Sequence, residues 1–425
     1  MKVFKFGGAS VKDAASVKNV GQILKTYKGQ PIVIVVSAMG KMTNAFEKVV
    51  EAYYHKTGEA ESLFEKIKSD HFAIMHELFD RNHEVFADVN DTLTEVHWIL
   101  EDMPEESFDY LYDQIVSIGE FVSSKILAAW LNQLGLPATW LDVRDVILTD
   151  NTYREARVDW NVTESKMQAL VPQMIKSGFV VTQGFIGGTS ENFTTTLGRE
   201  GSDYTAAIFS TCLSAESMSV WKDVPGILTA DPRLFKNVVK IDRLSYREAI
   251  EMTYYGAKVI HPKTIKPLQN KNIPLHVKSF ENPDGEGTLI SDQFENYYPP
   301  VVVVEKNQAL IQISTTDFSF IAESHLSQIF TLLAELRVKV NMMQNSAISF
   351  SICVDNKPER LSKFVSTLDQ EFKIVVDQPL ELITVRHYNN ETLNPLKKGK
   401  MVLFEEKIRD TAQIVVKETP LIEPK

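Results

Sequence analysis

The chain has 425 residues, 44% of them hydrophobic and 24% charged, with a formal net charge of −11 at pH 7. That length allows two to three domains with substantial cores, and the acidic balance argues against general nucleic-acid binding, which needs a basic face. No apolar run approaches the roughly 20 residues of a membrane span, and Lys2 and Lys5 interrupt the first apolar run, so neither a membrane partner nor a signal peptide is expected.

Residues 2–8, KVFKFGG, predict a short β-strand ending on Gly7-Gly8, where a backbone without Cβ atoms can approach a ligand with Lys5 beside it. No G-x-x-x-x-G-K-[ST] occurs and no G-x-G-x-x-G follows the first strand, so phosphate chemistry here needs another loop design. A polar helical pattern runs to about Tyr27. The run PIVIVV at 31–36 then reads as a buried parallel strand closing on Ser37-Ala38-Met39-Gly40. From about 43 to 113 the pattern is helical, polar and aromatic, a helical insertion. Ile118 to Leu134 predicts a further helix, Leu136 to Leu141 and Phe179 to Gln183 predict strands, and Gly184 to Gly188 a turn.

In TTTLGREGSDYTAA, residues 194–207, hydroxyl residues and Gly198 lead into Arg199, Gly201, Ser202 and Asp203 before an apolar helical pattern from Tyr204. Such a helix mouth offers unpaired N–H groups and suits anions. The plainer reading is a helix capped by Ser202 or Asp203. Ser219 to Trp221 marks a strand, Gly226 to Thr229 a turn, 245–256 a helix and Leu275 to Ser279 a late strand. The alternation predicts an α/β fold, a doubly wound and mainly parallel sheet over about 1–295.

Composition changes near 292–308, with a proline-punctuated joint at Tyr297 to Pro300. Beyond it, Ala309 to Ser314 predicts a strand, and Leu326, Ile329, Phe330, Leu333 and Leu336 a helical stripe. Alternation at Val338–Met342 and Ile348–Val354 precedes a second helical stripe at Leu361–Leu368. That order, β-α-β-β-α, is ferredoxin-like. Strand-like runs follow at 380–386, 401–405 and 412–417, with no helix of convincing length between the first two. The only cysteines, Cys212 and Cys353, sit in apolar runs and read as buried thiols of a reducing, cytoplasmic setting.

Six motifs in order, KFGGAS at 5–10, SAMGKMTN at 37–44, SIGE at 117–120, TLGREGSDYTAA at 196–207, VPGILTADPR at 224–233 and GAKVIHP at 256–262, resemble an aspartate kinase of the amino-acid kinase family. The resemblance covers about 1–300, and residues 305–425 are similar to the family's ACT-type regulatory region with a degenerate second unit. It implies transfer of the ATP γ-phosphoryl group to the side-chain carboxylate of L-aspartate, with Mg²⁺ carried mainly by the ATP phosphates and no separate metal site on the protein. That carboxylate is already ionised at pH 7, with an unperturbed pKa of about 3.9. Catalysis then needs no general base, only positioning and charge neutralisation.

Carried over residue by residue, the resemblance makes Lys5, Asp203 and Lys258 catalytic: two phosphate lysines and the carboxylate that orients the lysines or the metal. ATP would also meet Gly7, Gly8, Lys222, Asp223, Arg233 and Val259. Arg199 would clasp the substrate α-carboxylate, Glu120 its ammonium group, and Ser37, Thr43 and Ser202 would supply neighbouring polar contacts. His261 is expected to be structural. The chain departs from the family's pattern at Lys222 (a threonine in related sequences), Leu228 (often aromatic) and Glu200 (often glycine). The loop 315–324 lacks the usual effector-turn glycine, and Asn341 stands where an acidic residue often reads an effector ammonium. Lysine or threonine as effector, a homodimer or higher homo-oligomer, and a single enzymatic activity are the remaining expectations. The competing readings are a non-catalytic amino-acid sensor and a sibling kinase acting on glutamate, acetylglutamate or a nucleoside monophosphate.

Overall fold

The computed structural model describes residues 1–257, 260–293, 297–317 and 319–418. They form two compact units. The first comprises described residues 1–227, 240–250 and 260–293; the second comprises 228–239, 251–257, 297–317 and 319–418.

The first unit is built on an eight-stranded sheet. Its order is Arg243–Ser245, Thr288–Ser291, Leu275–Ser279, Ser217–Lys222, Lys2–Phe6, Ile32–Val36, Phe179–Gln183 and Ala138–Leu141. The six strands from Leu275–Ser279 to Ala138–Leu141 are parallel, and Thr288–Ser291 runs antiparallel to its neighbour. Ile32–Val36 is β-branched at every position and buried at every position, as a strand covered on both faces must be. The strand Lys2–Phe6 lies near the middle, with Lys5 in register with Val35 on one side and Val220 on the other.

Helices follow the expected stretches. The insertion consists of Met42–Tyr54, Ala60–Leu78, Val85–Glu101 and Phe108–Val116, the last capped by Ser107 Oγ, which accepts from the Tyr110 amide. Ile118–Gln133 is apolar nearly all round and correspondingly buried. Two helices lie where the sequence pattern gave no signal, Trp160–Met174 and Pro262–Asn270. Each carries an internal proline, Pro172 and Pro267, a residue that argues against helix from sequence alone.

The second unit contains an antiparallel six-stranded sheet in the order Val340–Asn345, Ser349–Asp355, Val301–Thr315, Phe372–Arg386, Thr411–Glu418 and Lys400–Ile408. The two 15-residue central strands run through both halves. Helices Glu323–Glu335 and Pro358–Leu368 cover the first half over a core of Ile311, Ile313, Ile329, Phe350 and Phe364. The second half corrects one expectation: a helix, Asn390–Lys397, does separate Phe372–Arg386 from Lys400–Ile408. It is only eight residues long, but Asn389 caps it and Leu393 anchors it in the core of Ile383, Val385 and Ile414.

Candidate active site

The site of the first unit gathers at the C-terminal ends of its parallel strands, where open α/β sheets place their ligands. Lys5, on the central strand, extends its ammonium to Asp203 Oδ1 at 2.7 Å. Lys222, the last residue of the adjacent strand, reaches Asp203 Oδ2 at 3.5 Å. Asp203 is 1% exposed. Burial alone would raise its pKa, but the Lys5 and Lys222 charges outweigh that and hold it below the ordinary carboxylate value. The strand carrying Lys222 is fixed by Trp221, which is fully buried and stacks on Phe6 with centroids 5.8 Å apart and planes 10° apart.

Asp203 lies in the first turn of the helix Gly201–Cys212, and no side chain caps that helix. The plain N-cap reading of Ser202 or Asp203 therefore does not hold: both lie inside the helix, and the N-cap position is Glu200 at φ +56°. The left-handed region disfavours a residue with a Cβ, so Glu200 occupies a position suited to glycine. Arg199 beside it is exposed and makes no ion pair among the described residues.

Close backbone contacts set the loops around these charges. A Cβ on Gly8 would lie 2.7 Å from the Gly40 carbonyl oxygen and 2.8 Å from that of Ala38. The Gly7-Gly8 turn and the 37–40 loop can meet only without a side chain there. A Cβ on Gly184 would lie 2.5 Å from the Ser202 Cβ, which brings the turn after Phe179–Gln183 onto the start of the helix. Ser37 is half-buried, and its carbonyl accepts from Ser123 Oγ at 2.8 Å. Thr43 is half-buried in the first turn of Met42–Tyr54.

Glu120 presents the opposite electrostatics. It is 2% exposed and its Oε2 has no hydrogen-bond partner. Burial pushes its pKa up to about 8, against the smaller opposing effects of backbone N–H groups and the Lys5 charge. A carboxyl poised this way gains most from a cation delivered to it.

Sequence reasoning missed Asp113. It is fully buried and accepts from the Thr196 amide at 2.8 Å, the Thr196 hydroxyl at 2.7 Å and the Arg154 amide at 2.9 Å. Burial raises its pKa to about 6 despite those bonds. It pins the segment that leads into Arg199, yet its partner Thr196 lies 83 residues away in sequence, so no local motif reveals it.

Other expected site residues fall elsewhere. Asp223 is exposed in the turn after the Lys222 strand. Arg233 belongs to the second unit, where its guanidinium grips Asp231 through Nε at 3.0 Å and Nη2 at 2.7 Å. Lys258 and Val259 lie outside the described residues. His261 Nδ1 accepts from the Lys263 amide at 3.2 Å and caps the helix Pro262–Asn270. In the second unit, the Asn341 side-chain amide donates to Gln308 Oε1 at 2.9 Å and Asp355 Oδ1 at 3.0 Å.

Comparison with known proteins assigns the class. The amino acid kinase family matches residues 1–279. The lysine-sensitive aspartokinase 3 of Escherichia coli is 32% identical over 357 residues, covering 83% of this chain and 78% of that protein. Aspartokinase 1 of Arabidopsis thaliana, a chloroplastic protein, is 32% identical over 400 residues, covering 90% and 68%. The crystal structure of E. coli aspartokinase III with aspartate and ADP superposes with a TM-score of 0.84 at 27% identity, covering 98% of this chain and 96% of that one. The chain therefore belongs to the amino acid kinase family and, within it, to the aspartokinases.

Asp113→Ala should leave the buried Thr196 amide and hydroxyl without their acceptor and break the Arg154 amide bond, a loss of about 2–4 kcal/mol of stability. Urea denaturation of the variant beside the parent checks it; an unchanged midpoint would show that the pin carries no weight.

Proposed function

We propose that this chain transfers the γ-phosphoryl group of MgATP to the side-chain carboxylate of L-aspartate, giving 4-phospho-L-aspartate, the first step toward lysine, threonine and methionine. The observation that carries the reading is the pair of ammonium groups on one buried carboxylate, Lys5 and Lys222 on Asp203, at the end of the central strands. A carboxylate oxygen of aspartate attacks the γ-phosphorus, a P–O bond forms, and the bond to the β–γ bridging oxygen breaks as ADP leaves. Substrate and ATP are both anionic, so the chain's task is to neutralise and align them.

In this reading Lys5 and the Gly7 and Gly8 amides receive the phosphates. Asp203 holds Lys5 and Lys222 in place, and Lys258, Val259 and Asp223 complete the nucleotide contacts that the resemblance implies. Arg199 clasps the α-carboxylate with its planar fork, with Ser37, Thr43 and Ser202 alongside. Glu120 receives the α-ammonium. Mg²⁺ arrives as part of the substrate MgATP. Asp203, with an ammonium at each oxygen, is occupied as a counterion to the lysines rather than set up as a metal ligand.

The second unit is read as the regulatory part, answering lysine or threonine, in a homodimer or higher homo-oligomer. The lysine-sensitive E. coli relative and its structure with lysine and aspartate support that reading. No helix of the described residues is long and apolar enough to cross a membrane, and we place the enzyme in the cytoplasm.

The direct test traps the acyl phosphate as a hydroxamate, with MgATP, hydroxylamine and equal concentrations of L-aspartate, L-glutamate or N-acetylglutamate. Product with aspartate alone is expected; silence with all three from folded, ATP-binding protein would favour an amino-acid sensor. Arg199→Ala should raise KM for aspartate roughly 10–100-fold with little change for ATP, while Lys5→Ala should lower kcat by roughly 100–1,000-fold. Normal kinetics in both variants would remove the assignment of the cleft.

Glu120 makes the reaction pH-dependent. Its carboxyl in the free enzyme is neutral below about 8 and charged above, and only the charged form pairs with the substrate ammonium. We expect kcat/KM for aspartate to rise as pH climbs toward and through that value. Glu120→Gln should abolish the rise and weaken aspartate binding; a variant keeping the parent's profile would assign the titration to another group.

For regulation, titration of the hydroxamate assay with lysine and with threonine should show inhibition by one of them. Asn341 offers an effector ammonium a neutral amide oxygen, so Asn341→Asp, which would set a second carboxylate beside Asp355, should lower the inhibitory concentration. Insensitivity of both proteins to both amino acids would leave the second unit an assembly module.

A further inference from the structure

We propose that the first unit carries a second ligand site, a cavity of about 740 Å³ that binds a small organic anion with at least two negative charges and a flat ring. Three segments line it: the loop and helix start from Glu155 to Trp160, one stripe of the helix Gly201–Cys212, and the helix Pro262–Asn270 with its C-terminal extension. None of the Lys5, Asp203 and Lys222 group lines it.

Charge is the first argument. Arg157, Lys263, Lys266 and Lys271 converge on the cavity, against the single carboxylate of Glu155 among the lining residues, in a chain whose net charge is −11. Lys263 and Lys266 stand three apart on one helix and so share a face. Neither makes an ion pair among the described residues. Lys271 is 3.9 Å from Glu164 Oε1, a weak exposed contact that leaves most of its field available. Even with Glu155 in the lining, Glu164 beside Lys271 and Asp150 beside Arg157, Lys263 and Lys266 add positive charge that an anion in the cavity would offset.

Shape and lining supply the second. Tyr204 and Thr211 are seven residues apart on their helix and therefore fall on one stripe. The Tyr204 ring meets the Trp160 ring edge-on, with centroids 6.3 Å apart and planes at 70°. Both are half-buried, so each presents part of an aromatic surface to the cavity. Thr211 is 8% exposed, and its hydroxyl has no hydrogen-bond partner; a buried hydroxyl left so invites an acceptor. The volume falls in the range of small-molecule pockets, about 300–1,000 Å³. Four cations and two aromatic rings in one lining match an anionic group on a planar body, as in a phosphorylated heterocycle.

The probe is pyrene-1,3,6,8-tetrasulfonate, a flat fluorescent polyanion, titrated with the full chain at about 0.15 M salt, where screening suppresses diffuse surface attraction, and followed by anisotropy. Saturable binding of one probe per chain is expected. The Lys263→Ala/Lys266→Ala double variant should weaken it at least tenfold, and Arg199→Ala should leave it unchanged. Thermal melting followed by circular dichroism confirms that the double variant is folded. Should the double variant bind as the parent does, or Arg199→Ala abolish binding, or the parent fail to saturate below about 1 mM, the site is not there. The outcome is independent of whether the hydroxamate assay supports aspartate as substrate.

Discussion

An ionised carboxylate at 1% exposure costs several kcal/mol in lost hydration unless charge partners replace the water, and Asp203 meets that requirement with Lys5 at 2.7 Å and Lys222 at 3.5 Å. The rest of the site is arranged around this constraint. Lys5 must stand on the central strand to reach the carboxylate, and Lys222 must end the next strand over. Trp221 stacked on Phe6 keeps those two strands aligned at that point. Two cations on one anion leave a positive excess at the sheet's C-terminal edge, beside a helix start that adds its own dipole.

Glu120 shows how strongly surroundings decide the behaviour of a side chain. Asp203 and Glu120 are equally hidden from water, yet one is held charged and the other is pushed up to about 8. The difference is charge: two ammonium groups stand at Asp203, while Glu120 has backbone N–H groups and only the weaker influence of the Lys5 charge. Environment alone separates the titrations of two equally buried carboxyls: Asp203 is held charged beside its lysines, while Glu120 is neutral up to about 8. The glycine contacts at Gly8 and Gly184 then set the spacing, because backbone atoms occupy the space a Cβ would need.

Much of this was legible in the sequence. The β-branched run at 32–36 and the paired glycines after Lys5 carry their physical reason locally and lie where the pattern placed them, while the helix after GRE begins at Gly201, three residues before the Tyr204 start that its apolar pattern suggested. The helices Trp160–Met174 and Pro262–Asn270 were not legible, because Pro172 and Pro267 contradict helix locally while tertiary packing overrides them. The short helix Asn390–Lys397 escaped for a related reason: eight residues give little periodic signal, and Leu393 becomes an anchor only once the core beneath it exists.

The sequence by itself determined the class of fold, the order of its motifs and the kinds of side chain brought to the anionic ligands. These follow from periodicity and from residues that act on near neighbours. The tertiary structure decided which carboxylate is charged and that Lys222 joins Lys5 on Asp203. It also decided that Asp113 pins Thr196 and that four cations surround a cavity with two aromatic rings. Each of those depends on groups far apart in the chain and on how much water is removed between them. Distance and desolvation are set only when the strands and helices close on one another.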